Sequence, residues 1–253
     1  MTLCITREVS PAMNQCELTH LERQPIDISL AREQHHAYEE ALAALGCEIL
    51  RLPPEPDLPD SVFVEDTALV FPEVAVITRP GADSRKPECA SIETALTPYR
   101  PIRKIEAPAT LDGGDVLVLD KEVFVGLSTR SNEAAISQLQ DILAPYGYRV
   151  RGVPVTGCLH LKSAVSRVGE RLLLLNPDWV DERIFEGFDI VHVHPEEPYA
   201  ANAVYVNGGV VYPAAFPKTL KRLQEAGLRV HTVDISELAK AEGAVTCCSL
   251  VVG

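Results

Sequence analysis

No two cysteines in this sequence are spaced C-x-x-C, so neither a zinc ribbon nor a thioredoxin-type dithiol is supported. The seven cysteines are odd in number and scattered. The opening residues Met1 to Arg7 contain neither a basic leader nor a long apolar stretch. A disulfide framework is therefore not expected, and reduced thiols in a cytoplasmic protein are. No apolar run approaches the ~20 residues of a membrane-spanning helix. Basic residues are also in short supply, with 23 Lys and Arg against 36 Asp and Glu and a net charge of −13. Nucleic acid and anionic membrane both require a basic face, so neither is an expected partner. A G-x-x-x-x-G-K-[ST] phosphate loop is absent.

What is present is an ordinary globular composition, 46% apolar and 23% charged over 253 residues. That length suffices for one catalytic domain spanning 1–253. Leu3 to Arg7 reads as a short strand ending in a cation. Residues 8–26 lack periodicity and carry Pro11 and Pro25, which marks a flap or lid loop. A helix is predicted over 27–45, capped by Asp27 and ended by Gly46. A strand over 47–52 follows and stops at Pro53.

From there a unit recurs at roughly 40–50 residues, the signature of a repeat architecture. Each unit opens on a polar or reactive residue and continues as a hairpin, a helix and a short strand. The unit heads are Asp66, Asp115, His160, Asn202 and Cys247. Asn207-Gly208 is a strong hairpin signal in the fourth unit. Further helices are predicted at about 84–96, 132–146, 179–187 and 218–226. The last strand, 250–252, completes a fifth hairpin by pairing with Leu3 to Arg7. The expected fold is α/β, a pseudo-symmetric ring of five ββαβ units in which the N- and C-terminal strands pair to close the ring. Such a ring gathers the five heads at one cleft. An α/β domain with hairpins and no symmetry is the plainer alternative.

Cys247 stands at the head of a short apolar strand, where a turn presents it to that cleft. A thiol needs a base or a cation beside it to become a nucleophile. His160 is the one histidine at a unit head, and Asp112 is the best-placed acid to orient it. The adjacent Gly113 and Gly114 let the backbone turn sharply or approach a ligand. Cys248 should point to the opposite face, into the core. Asp60, Glu65 and Asp66 flank one strand, either as solvated acids or as partners for a planar cation such as a guanidinium. Arg85 and Arg130 begin helices in successive units and either clamp a carboxylate or lie on the surface. His192 and His194 share one face of an extended run, with no third metal ligand in view.

Taken together, 58–66, 77–85, 110–115, 125–130, 159–163, 200–202 and 246–249 resemble the dimethylarginine dimethylaminohydrolases of the guanidino-group-modifying superfamily. The resemblance runs over essentially the whole chain. It implies a five-bladed propeller that converts dimethylarginine to citrulline and dimethylamine without metal or cofactor. It implies Cys247 as nucleophile, His160 as general acid and base, and Asp112 as its orienting acid. Asp60, Glu65 and Asp66 would bind the guanidinium and amino ends, and Arg85 and Arg130 the α-carboxylate. Leu18 would be the lid residue, and the Ala241 backbone would help bind the substrate. Zinc is expected only as an inhibitor at the Cys247 thiolate. The implied partner is a small cationic amino acid, and a homo-oligomer is compatible with the sequence. Rival readings are an arginine deiminase, another N-substituted arginine hydrolase, an amidinotransferase, a peptidylarginine deiminase, a Cys/His protease or a silent binding protein for arginine-like amino acids.

Overall fold

The computed structural model describes residues 2–253. Strand β1 (Thr2–Arg7) leads through the 8–26 segment to helix α1 (Ile28–Ala44) and strand β2 (Cys47–Leu52). Strands β3 (Ala68–Val70) and β4 (Ala75–Ile77) form a hairpin, followed by helix α2 (Cys89–Leu96) and β5 (Ile102–Lys104). The pattern repeats in β6 (Val116–Leu119), β7 (Glu122–Leu127), α3 (Glu133–Leu143) and β8 (Arg149–Pro154). Helix α4 (Leu161–Ala164) precedes β9 (Val165–Arg167), β10 (Leu172–Leu175) and β11 (Asp189–His192). Then come β12 (Val204–Val206), β13 (Gly209–Pro213), α5 (Pro217–Glu225), β14 (Val230–Val233), α6 (Ser236–Ala239) and β15 (Leu250–Val252).

These strands make five separate three-stranded sheets. In each, an antiparallel hairpin pairs its second strand in parallel with a third. In the sheet built from β15, β1 and β2, the hairpin partners come from opposite ends of the chain, with Leu3 opposite Val252 and Ile5 opposite Leu250. The expected pairing of the terminal strands is therefore present. The repeat arises because each unit is too small to bury its own apolar surface. Five apolar clusters each draw side chains from two of the sheets. Leu174 and Val168 meet Val210 and Tyr212 in one, while Cys4 and Cys47 meet Val204 and Val211 in another. Truncating a fully buried member such as Leu173 to alanine costs about 2–5 kcal/mol.

The local signals are legible in atomic detail. Asp27 caps α1 by accepting from the Ser29 and Leu30 amides, and Gly46 ends it with φ +84°. Asn132 caps α3 through the Ala135 amide. Asn207 and Gly208 both take positive φ, which is what the tight hairpin requires. One expectation fails. The helix predicted over 179–187 is only a 3₁₀ turn at Glu182–Phe185. Among its apolar residues only Val180 and Ile184 stand four apart, and Gly187 leaves the segment with φ +89°. Helix α2 is likewise preceded by a 3₁₀ stretch, Asp83–Glu88. The 8–26 segment, although aperiodic, is folded. Met13 and Cys16 are buried, and the Asn14 side chain both donates to and accepts from the Ile26 backbone.

Candidate active site

The unit heads sit on short turns that lead into the first strand of each sheet. The turn Val64–Thr67 carries Glu65 and Asp66, Gly113–Asp115 follows Asp112, and Thr246–Cys248 carries Cys247. His160 precedes α4. All of these side chains are buried.

His160 Nε2 lies 3.1 Å from Asp112 Oδ2, and Asp112 is fully buried. The other Asp112 oxygen accepts from the Gly81 amide at 2.8 Å, which fixes the carboxylate plane. Asp66 Oδ1 accepts from the Gly114 amide at 2.8 Å, and Oδ2 accepts from Arg85 at 2.6 Å. The two glycines are required here. A Cβ on Gly113 would meet the Glu65 carbonyl at 1.9 Å, and one on Gly114 would meet His160 Nδ1 at 2.6 Å. Asp115 holds the site from behind, accepting from Ser128, Ser131 and the Leu161 amide. The head of the fourth unit, Asn202, braces the nucleophile's turn. Its oxygen accepts from the Thr246 amide at 3.0 Å, and its nitrogen donates to Thr246 Oγ1 at 2.9 Å. Thr246 Oγ1 in turn donates to Glu65, whose other oxygen meets Lys162 at 2.5 Å.

A cavity of about 20 Å³ lies among these groups, lined by Asp60, Asp66, Arg85, Arg130, His160, Ala241 and Cys247. Glu17, Phe63, Leu159, Glu242 and Gly243 complete it. Three anticipated residues are not on its wall. Glu65 is turned toward Lys162 and Thr246, Asp112 stands behind His160, and Leu18 packs against the cluster around α1. Arg85 is buried rather than on the surface, and it meets Glu88 as well as Asp66. Arg130 reaches the flap at Thr19 Oγ1, 2.9 Å away, with Asp112 Oδ2 at 3.9 Å. Cys248 is fully buried in the core. His192 is paired with Glu182, and His194 Nδ1 accepts from the Glu196 amide.

The electrostatics follow from burial and the acids. Burial alone would lower the pKa of the His160 imidazolium, but Asp66, the Asp112 hydrogen bond and Asp115 together raise it to about 9. Burial pushes the Cys247 thiol up to about 12, with Glu65 and Asp66 adding to the effect. At neutral pH the pair is thus imidazolium and thiol. Burial would raise the Asp66 carboxyl, yet His160 and Arg85 hold it well below the usual carboxylate range. Asp66, Asp112 and His160 each offer one atom within 4.8 Å of the others, a possible metal cluster. Their atoms are already engaged with Arg85, Gly81, Gly114 and one another, which fits a hydrogen-bonded charge cluster better than a ligand set. All seven cysteines are free thiols.

Residues 7–251 match the model of a family described as N,N dimethylarginine dimethylhydrolase, eukaryotic. The chain belongs to the dimethylarginine dimethylaminohydrolase family. The N(G),N(G)-dimethylarginine dimethylaminohydrolase of Streptomyces coelicolor is 42% identical over 97% of this chain and 95% of that protein. The Pseudomonas aeruginosa protein of the same name is 38% identical, over 88% and 89%. A solved structure of the Pseudomonas aeruginosa enzyme, a cysteine-to-serine mutant complexed with citrulline, superposes with a TM-score of 0.94 at 36% identity over 98% of each chain. The N-terminal domain of a cyanobacterial arginine dihydrolase, 19% identical, shares the fold with a TM-score of 0.86.

Several residues of this family member's site escaped sequence reasoning. Lys162 and Thr246 stand beside His160 and Cys247 in the chain, but nothing local reveals that both meet Glu65. Glu88 carries a readable signal, since it follows Arg85 by three residues in a helical stretch. Glu242 carries none.

Proposed function

We propose that this chain is a cysteine hydrolase of free N-substituted L-arginines, converting dimethylarginine to citrulline and dimethylamine. One observation carries the reading. A thiol shares a cavity with an imidazole that is paired to a buried acid, in a chain 42% identical to a dimethylarginine dimethylaminohydrolase. The whole chain acts as one catalytic domain, with the 8–26 segment as its lid. Its five sheets form a pseudo-symmetric propeller, a reading supported by apolar clusters shared between sheets, including one between the fourth and fifth and one between the fifth and first.

The substrate guanidinium enters beside Asp60 and Asp66, and Arg85 and Arg130 take its α-carboxylate. Leu18 covers it, Glu65 steadies the inner wall through Thr246, and the Ala241 carbonyl meets the amine. A unit positive charge about 4 Å from the Cys247 sulfur is worth about 4 kcal/mol at an effective dielectric of ~20. That lowers the thiol pKa by about 3 units, so the substrate itself helps the thiol to release its proton to solvent and become the thiolate. The thiolate adds to the guanidinium carbon. His160, charged and held by Asp112, gives its proton to the departing dimethylamine as the C–N bond breaks. An S-alkylthiouronium remains on Cys247. His160 then takes a proton from water, the hydroxide adds to the same carbon, and the C–S bond breaks to release the thiolate while the adduct's hydroxyl proton passes to solvent, leaving citrulline. Each step uses only side chains, substrate and water. Reduced thiols at all seven cysteines suit a cytoplasmic setting.

The test is parallel incubation with asymmetric dimethylarginine, monomethylarginine and arginine, with Cys247→Ser as control. Citrulline and dimethylamine appear with the first and vanish in the variant. Ammonia from arginine alone would instead make the enzyme a deiminase.

A further inference from the structure

Resting on that reading of the reaction, we propose that Glu242 is a positioning residue that clamps the flap shut over the bound substrate. Its carboxylate accepts three consecutive flap amides: Thr19 at 3.0 Å, His20 at 2.5 Å and Leu21 at 2.7 Å. These amides directly follow Leu18, in the segment whose Glu17 lines the cavity. Few carboxylates collect three adjacent main-chain donors, and charge-assisted bonds of this kind are strong for hydrogen bonds.

The backbone at Glu242 gives a second, independent indication. It lies in the left-handed region, with φ +58°. Glutamate rarely occupies that region unless its surroundings hold it there. Were conformation alone at issue, glycine or asparagine would serve better, so a glutamate here points to use of its side chain. Glu242 also lines the cavity between Ala241 and Gly243, on the loop that runs on to Cys247. The same residue therefore joins flap, cavity wall and the nucleophile's loop.

The flap leaves only a narrow space behind it. The cavity of about 20 Å³ holds about one water and has no room for a dimethylarginine. Two further contacts seal the same flap, the Glu17 amide on Asp60 and the Ser84 hydroxyl on Glu17. Entry and exit must therefore break the Glu242 contacts, and closure over substrate remakes them. Because Arg130 also reaches Thr19, a substrate carboxylate at Arg130 is felt by the same stretch of flap.

The experiment uses the full chain with Glu242→Asn, which tolerates the left-handed backbone but loses the reach, and Glu242→Gln, which keeps the reach but loses the charge. Amide hydrogen exchange is followed at Thr19, His20 and Leu21, and Cys247 alkylation by iodoacetamide is followed by mass spectrometry. In Glu242→Asn the three amides exchange at least tenfold faster and Cys247 is alkylated faster, with Glu242→Gln intermediate. KM rises severalfold while kcat changes less, and the melting temperature holds. Unchanged exchange at these amides in both variants overturns the proposal, as does a collapse of the melting temperature with KM unmoved. Should the asparagine variant not fold, the glutamine variant decides alone. The two readings fail separately. If the wild type turns over no methylarginine while exchange responds, the clamp stands and the hydrolase reading falls. Turnover with unresponsive amides gives the reverse.

Discussion

Replacing Asp66 with asparagine should lower the pKa of His160 by about two units. Asp66 is the acid that most strongly favours the imidazolium, and its carboxylate oxygen, the Asp112 oxygen and the imidazole nitrogen all lie within 4.8 Å of one another. At that separation a unit charge pair is worth about 3 kcal/mol at an effective dielectric of ~20, or roughly two pKa units. Asp66→Asn also leaves Arg85 less neutralised, which pushes His160 further in the same direction. His160 should then titrate near 7 instead of about 9. At pH 8 its protonated fraction falls from about nine-tenths to about one-tenth, which removes the general acid. The assay is an NMR titration of histidine-labelled protein, with the His160 signal assigned by its absence in His160→Gln. Stability provides a second readout. The folded pKa of His160 is raised above the ordinary 6.5, so its stabilisation is fully present below about 6.5 and lost as pH rises through about 9. That loss amounts to about 3 kcal/mol in the wild type and should largely disappear in the variant. A wild-type midpoint below 7, or a variant midpoint within half a unit of the wild type, would refute the reasoning.

Asn202→Ala strips the buried Thr246 amide of its acceptor, so urea titration should show a loss of about 1–3 kcal/mol, with kcat falling more than KM rises. Lys162→Met leaves Glu65 buried without its cation and should cost about 3–5 kcal/mol in thermal melts. Most of that should return in the double variant Lys162→Met/Glu65→Gln; no recovery would mean that Lys162 acts through packing. Zinc should inhibit, and more strongly as pH rises from 7 to 9. The ion competes with protons for the Cys247 sulfur and the His160 ring. An inhibition constant independent of pH would place the ion elsewhere.

The repeat was readable in sequence as local pattern, and the terminal strand pairing and the Asp112–His160 pair, though distant in the chain, followed from extending that repeat to the chain ends and the unit heads. A hairpin headed by a polar residue is visible five times, and Asn207-Gly208 announces its own turn. The two glycines after Asp112 were read as a sharp turn or an approach to a ligand, whereas the groups that crowd them are Glu65 and His160 of the protein itself. What escaped depends on contacts between units. The Arg85 guanidinium is held by Asp66, which the sequence gives no way to pair with it across the intervening hairpin. The 179–187 segment reads as a helix from its apolar content and the four-residue step from Val180 to Ile184, but only one such step is present and the chain coils just over Glu182–Phe185. Glu242 was invisible because a clamp is defined by what lies opposite it, and here that is main-chain amide without any side-chain signature.

The pairing of β1 with β15 bears on how the enzyme is made. Strand β1 is separated from its antiparallel partner by nearly the whole of the described chain. The other four sheets draw on contiguous stretches and can assemble as synthesis proceeds. Only when β15 docks does the turn holding Cys247 acquire its place beside His160. The turn holding Cys247 is thus set in place only when two segments far apart in the chain have met, so the position of that thiol reports the assembly of the whole described fold.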